Sequence, residues 1–239
     1  MAAETAIQDD MTPAERRRLK VRDAIIGAAE EIFAEEGEAG LSMRRIAERI
    51  DYSPAALYKY FDSKEALFRE IREGFFERLL IRMQSVCSDV DEGPLLCTRC
   101  MRAYVETGLE QPAHYKLAFS GIPEEDAEAQ DTYAFAAAGH LRKMIQQSID
   151  EGWFRPVDVQ VAATSVWAAS HGLTLLAVTV PDFPCDLPGL SEPVDNPPAN
   201  MKAVVRYALD DLIEFHAGMV LRGLGSARLI ERLDAGDRF

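Results

Sequence analysis

The sequence predicts an all-α protein: an N-terminal three-helix domain carrying a helix-turn-helix, joined by a long helix to a C-terminal helical bundle. Apolar residues recur at spacings of three and four along most of the chain. No segment alternates apolar and polar residues as a half-buried strand would. Ser and Pro precede, and Gly follows, several of the periodic stretches, as helix caps do.

The first helix is read from "RRRLKVRDAIIGAAEEIFAEEG", where Leu19, Ile25, Ile26, Ala29, Ile32 and Phe33 form one stripe. It runs from about Pro13 to Glu36, with Gly37 as its C-terminal cap. Ser42 then caps "MRRIAERI", a helix of two turns in which Met43, Ile46, Ala47 and Ile50 face inward. After a turn at "DYS", Ser53 caps a third helix that has Pro54 at its first position and stops before Asp62. A fourth helix, capped by Asp62 or Ser63, opens at "DSKEALFREI" and continues through "GFFERLLIRMQSVC" as a connector.

Five further helices are expected at 94–111, 113–120, 124–151, 157–179 and 201–222, with no internal repeat. Six of the twelve prolines fall in 181–200, which excludes that stretch from any helix and makes it a flexible connection. The final "GLGSARLIERLDAGDRF" is expected to form at most a short helix with fraying beyond it. The domain boundaries expected are 12–62 for the helix-turn-helix part and 63–239 for the C-terminal part.

Composition narrows the class. At 239 residues and 48% hydrophobic content the chain can bury a proper core, which excludes a disordered protein. No uninterrupted apolar run approaches the ~18 residues of a membrane span, and "MAAETAIQDD" lacks the basic-then-apolar order of a secretory signal. A cytoplasmic, soluble protein with no membrane partner is the expectation. The four cysteines form no disulfide framework. Cys97 and Cys100 in "CTRC" have metal spacing, but no second such pair completes a four-ligand site, so two buried thiols and no metal or cofactor are expected.

Charge is unevenly placed. Residues 12–82 hold 14 Lys or Arg and 14 Asp or Glu, so the whole formal charge of −14 lies outside them. That asymmetry points to an N-terminal part able to approach a polyanion, provided its cations share a face.

The stretch "SPAALYKYFDSKEAL" (53–67) supplies the chemistry. Two short capped helices separated by three residues are the parts of a helix-turn-helix, whose second helix enters the major groove. Pro54, Ala55 and Ala56 leave the end of that helix slim, while Leu57 and Phe61 face inward four apart. Tyr58, Lys59 and Tyr60 face outward or sideways, where hydroxyls and an ammonium can reach phosphates or base edges. Lys64 opens the next helix, Arg44 and Arg45 open the second, and Ser42 and Ser53 offer hydroxyls.

Residues 22–68, above all "AAEEIFAEEG", "LSMRRIAERI" and "ALYKYFDSKEAL", resemble the DNA-binding domain of the tetracycline-repressor (TetR) family. The resemblance implies that Ser42, Arg44, Ser53, Ala55, Ala56, Tyr58, Lys59, Tyr60 and Lys64 are DNA-contacting positions. It also implies a homodimer whose last two long helices form a four-helix bundle, a double-stranded operator and a small-molecule effector. One departure is visible: Asp51 stands in the turn where the family usually has Gly, and Asp tolerates a left-handed conformation better than most residues.

In the C-terminal part, "VWAASHGLTLLAV" sets Trp167, His171 and Thr174 on one side of a helix. With "EQPAHYKLAFSG" it resembles a subgroup named for a Trp and His-Gly motif. Tyr104, Phe119, Tyr133, Met144, Trp167, His171 and Thr174 are the candidates for an apolar ligand cavity, against the alternative that they are packing residues of the core.

Paired carboxylates with a Glu-x-x-His pattern, a nucleophile elbow and a metal cluster are all lacking in the sequence, so an enzyme is not expected. The expectation is a repressor released from a palindromic operator by a small apolar effector. The competing one is a ligand-insensitive DNA-binding protein controlled by a protein partner.

Overall fold

The computed structural model describes residues 12–86, 92–120, 131–180, 183 and 201–239, with the backbone alone for 201–208. Among them lie ten helices: α1 (Pro13–Gly40), α2 (Met43–Arg49), α3 (Pro54–Leu57), α4 (Lys64–Val86), α5 (Gly93–Glu110), α6 (Pro112–Ala118), α7 (Tyr133–Asp150), α8 (Val159–Thr179), α9 (Met201–Leu224) and α10 (Ala227–Asp234). The only β-type pairing among these residues is the isolated bridge between Phe154 and Gly225. The chain is all-α, and it divides into two compact units, Met1–Phe75 with Ala113–Ala127, and Phe76–Pro112 with Glu128–Phe239.

The first unit is built on the predicted stripes. Ile25, Ala29, Ile32, Ile46, Ala47, Leu57, Phe61, Leu67 and Ile71 are buried together. Thr12 opens α1 with a capping box, its hydroxyl accepting the Glu15 amide and the Glu15 carboxylate accepting from the Thr12 amide at 2.7 Å. Gly37 breaks the helix with φ 68°, as its place after the stripe predicts, and one further turn follows to Gly40. A segment from later in the chain completes this core. Leu117 of α6 joins it, and Tyr115 is fully buried with its ring 5.6 Å from Phe75 and 4.9 Å from Phe119. His114 Nδ1 lies 2.5 Å from Glu30 Oε1 of α1.

In the second unit α5 packs on α7, α8 and α9. Val105, Leu173 and Ile213 form the cluster where α5, α8 and α9 meet. Arg82 bonds Thr107 and Glu110, and Arg102 pairs with Asp210 at 2.8 Å, so guanidinium groups tie α4 and α9 to α5. Cys97 and Cys100 are both buried in α5, and burial pushes the Cys97 thiol up to about 12. A thiol held that far from ionisation is a poor nucleophile and a poor redox sensor.

Three expectations need correction. α7 starts at Tyr133 and not near 124, because Thr132 caps it by accepting the Phe135 amide at 3.1 Å; residues 124–130 lie outside the described ones. The chain end does not fray as expected. α10 is capped by Ser226, its Leu229 is fully buried, and beyond it the Phe239 ring lies 6.4 Å from Trp153, whose face also carries the Arg228 guanidinium at 3.6 Å. Arg and aromatic contacts of this kind leave no periodic trace in a sequence. Finally, α8 is long and apolar enough to cross a membrane by length and composition. Its interruptions, such as Gln160, Thr164 and Ser165, are polar but uncharged. The stretch 181–200, read as a flexible connection, lies outside the described residues apart from Phe183.

Candidate nucleic-acid interface

The turn between α2 and α3 is a Schellman motif. The Tyr52 amide donates to the Ala47 carbonyl at 2.8 Å and the Asp51 amide to the Glu48 carbonyl at 3.4 Å. Asp51 takes φ 59°, the only positive φ at a described residue other than glycine. Ser53 then caps α3 by accepting the Ala56 amide at 3.2 Å. This sequence of caps fixes the angle between the two helices with local bonds alone.

The regular part of α3 is shorter than expected and ends at Leu57. The amides of Lys59 and Tyr60 reach back three residues, to the carbonyls of Ala56 and Leu57, and tighten the last turn. Leu57 and Phe61 are buried as their spacing predicts. Pro54 and Ala55 are exposed and Ala56 is half-buried, so the slim end of α3 is accessible. Tyr58 is 51% exposed and Lys59 is exposed, whereas Tyr60 is half-buried against the core. Lys64, at the start of α4, holds its ammonium 5.2 Å from the Phe68 ring centre.

The basic and hydroxyl candidates are less uniform than the sequence suggested. Ser42 accepts the Arg45 amide at 3.3 Å as the cap of α2. Arg45 grips both carboxylate oxygens of Glu36 and bonds the Gly40 carbonyl at 3.3 Å, so it ties α2 to the end of α1. These bonds hold the Glu36 carboxyl below the usual range. Among the described residues Arg44 is bonded to Glu48 alone, at 2.9 Å on an exposed surface where such a pair is weak.

The residue that positions the end of the reading segment was not among the candidates. Arg22 donates to the Tyr60 carbonyl at 3.1 Å, pairs with Glu70 of α4, and lies 4.6 Å above the Phe61 ring. Arg18, one turn earlier, lies 5.8 Å from the Tyr60 ring centre. A sequence signal existed, since both arginines continue the apolar stripe of α1 in register with Ile25 and Ala29.

Three of the ligand-cavity candidates are hydrogen-bonded to one another. Trp167 Nε1–H donates to the Tyr104 hydroxyl at 3.2 Å, and that hydroxyl lies 3.1 Å from His171 Nδ1. The hydroxyl accepts from the indole and shares a second hydrogen bond with the imidazole, whose direction follows the His171 tautomer. Burial moves His171 below its ordinary value, which favours the neutral ring. Thr174 is fully buried and donates to the Ser170 carbonyl. Met144 is buried in α7, Tyr133 is largely exposed, and Phe119 belongs to the other compact unit, beside Tyr115. Hydrogen bonds bring Tyr104, Trp167 and His171 together.

Known proteins place this architecture. The sequence profile described as bacterial regulatory proteins, tetR family, matches residues 25–71, and that of the tetracyclin repressor-like C-terminal domain matches 97–186. The chain belongs to the TetR family of DNA-binding transcriptional regulators, which are not enzymes. The Trp and His-Gly subgroup is not specifically matched. The regulator UidR of Escherichia coli K12 is 43% identical over 63 residues, 26% of this chain and 32% of UidR. The uncharacterized regulator YobS of Bacillus subtilis is 24% identical over 104 residues, 44% of this chain and 54% of YobS. These matches span about a third to a half of the curated relatives. A tetR-family regulatory protein from Rhodococcus RHA1 shares the fold with TM-score 0.64 at 22% identity, over 87% of this chain and 98% of that one. RolR in complex with resorcinol does so with TM-score 0.57 at 18% identity, over 94% and 97%.

Proposed function

We propose that this regulator is a cytoplasmic, homodimeric repressor that binds a palindromic operator through α2 and α3 and leaves it when a small apolar molecule binds the C-terminal unit. The observation that carries the DNA-binding part is the exposed, slim start of α3, followed by Tyr58 and Lys59, on a turn locked by Asp51. Ser42, Arg44, Ser53, Ala55, Ala56, Tyr58, Lys59, Tyr60 and Lys64 are the positions that meet DNA. Within this set Ser42 and Ser53 act mainly as caps, and Arg45, outside it, acts as a structural tie.

Dimerisation is supported by apolar side chains that α8 and α9 leave in solvent. Phe215 is 66% exposed, Met219 52%, Val161 64% and Trp167 42%. Apolar surface of this extent on adjacent helices of one unit favours a second copy. Two copies also supply the two reading helices, about 34 Å apart, that a palindromic site requires. RolR holds resorcinol, which supports a small effector here, and the Tyr104–Trp167–His171 group offers a polar anchor for one. α4 runs from Lys64 in one compact unit to Val86 in the other and is the element through which such a signal passes.

Fluorescence anisotropy with a duplex from upstream of the protein's own gene, against a scrambled duplex, tests the reading. Tight binding to the first alone supports it, as does its loss on adding an apolar effector. Binding that no small molecule disturbs favours control by a protein partner.

A further inference from the structure

We propose that the first two turns of α1 form a second DNA-contacting surface, which grips the phosphate backbone beside the site read by α3. Residues 16–22, "RRRLKVR", hold five Lys or Arg and no acid. Residues 12–20 are all exposed, so about eight helical residues, roughly 12 Å of helix, stand clear of the core. Arg17 and Lys20 make no ion pair among the described residues. The one acid between residues 12 and 22 is Glu15, and its carboxylate is engaged by the amide and hydroxyl of Thr12.

Two features give this surface its purpose. The first is its placement. Arg18 stacks near Tyr60, and Arg22 bonds the Tyr60 carbonyl, so the basic stretch is continuous with the end of the reading segment. A duplex seated on Tyr58 and Lys59 has its flanking phosphates on that side. The second is cost. Cations crowded into the first turns of a helix repel one another and oppose the helix dipole. Folding gains nothing from Arg17 and Lys20 there, whereas a polyanion neutralises both effects. The occupant is therefore the sugar-phosphate backbone of double-stranded DNA, read without regard to sequence. It also explains why residues 12–82 sum to zero charge and still meet DNA: acids pair along α1 and α2, as Glu31 and Glu35 do with Arg49, while among the described residues Arg17 and Lys20 make no such pair.

The proposal rests on the DNA-binding reading, and the test separates the two. The full-length protein and its R17A/R18A/K20A variant are titrated by anisotropy with an upstream duplex and a scrambled duplex of roughly 30 base pairs, about three turns, over a series of salt concentrations. Removing one cation from a phosphate lowers the slope of log K against log salt by about 0.9, so the variant's slope is expected to be shallower by roughly 2 to 3 on both duplexes. Affinity falls by a similar factor on each, leaving the ratio between them intact, while the melting temperature holds. A K143A/R238A variant, which removes exposed charge from the other unit, keeps the wild-type slope. An unchanged slope in the triple variant, with sequence-dependent binding by the wild type, overturns the surface and leaves the regulator reading standing. A wild-type protein that shows no salt-dependent binding to either duplex overturns both.

Discussion

The Tyr52 amide and the Ala47 carbonyl are joined by a 2.8 Å hydrogen bond that arches over Asp51, the residue on which the helix-turn-helix pivots. The bond forms only while Asp51 holds its left-handed φ of 59°. Asp carries that conformation at a cost that Gly does not bear. Asp51→Gly is therefore expected to stabilise the protein by about 0.5–1 kcal/mol, and Asp51→Val to destabilise it by about 1–3 kcal/mol. Thermal or urea unfolding followed by circular dichroism measures both. A valine variant as stable as the wild type would contradict the assigned turn.

Arg22 connects α1 to the Tyr60 carbonyl, the Phe61 face and Glu70 at once. Arg22→Ala is expected to cost about 1–3 kcal/mol of stability, because partly buried partners are left unsatisfied. It should also weaken DNA binding with little change of salt slope, since the guanidinium positions Tyr60 rather than touching phosphate. Arg22→Lys, which cannot make the forked contact, should rescue only part of the loss. A variant that loses salt slope in place of stability would assign Arg22 to the phosphate surface.

Phe215 and Met219 lie one turn apart on α9 and face solvent in the single chain. Phe215→Glu places a charge where the proposed second copy packs and is expected to dissociate the dimer while leaving helical content unchanged. Sedimentation velocity reads the outcome. A variant that remains dimeric would move the interface elsewhere.

His140, His171 and His216 are all shifted below their ordinary value, with desolvation the leading cause in each. The folded chain therefore binds fewer protons than the unfolded chain just below the ordinary histidine value of ~6.5. Their contribution to stability is complete above about pH 6.5 and is lost as the pH falls below that value and through the lower values of the folded rings. The depressed carboxyls of Glu35 and Glu36, held down by Arg49 and Arg45, act only near the lower carboxylate range. Melting temperature should fall between about pH 7.5 and 5.5, and His171→Gln should reduce that fall. A melting temperature that rises on acidification in this window would contradict the neutral state assigned to these rings.

The helices were legible because the core demands a stripe. Ile25, Ile32, Ile46 and Leu57 announce their helices, and Ser42, Ser53 and Gly37 announce where they begin or end. Asp51 was legible because few residue types accept a left-handed φ. What escaped was long-range: the tie of Arg45 to Glu36, the seat of Arg22 against Tyr60, and the docking of Tyr115 beside Phe75 join residues that no local period relates. Aromatic residues at helical spacing fit a core as well as a pocket, so the spacing of the cavity candidates did not distinguish the two, and Phe119 packs beside Tyr115 in the first unit.

The central claim is that the α2–turn–α3 segment reads DNA through Tyr58 and its basic neighbours. The most direct measurement compares anisotropy titrations of the wild type and of Tyr58→Ala and Lys64→Ala on the upstream and scrambled duplexes, with sedimentation as a check on dimerisation. The prediction is a loss of at least about tenfold, roughly 1.4 kcal/mol, on the upstream duplex, with the dimer intact. Undiminished affinity and selectivity in both variants would contradict it.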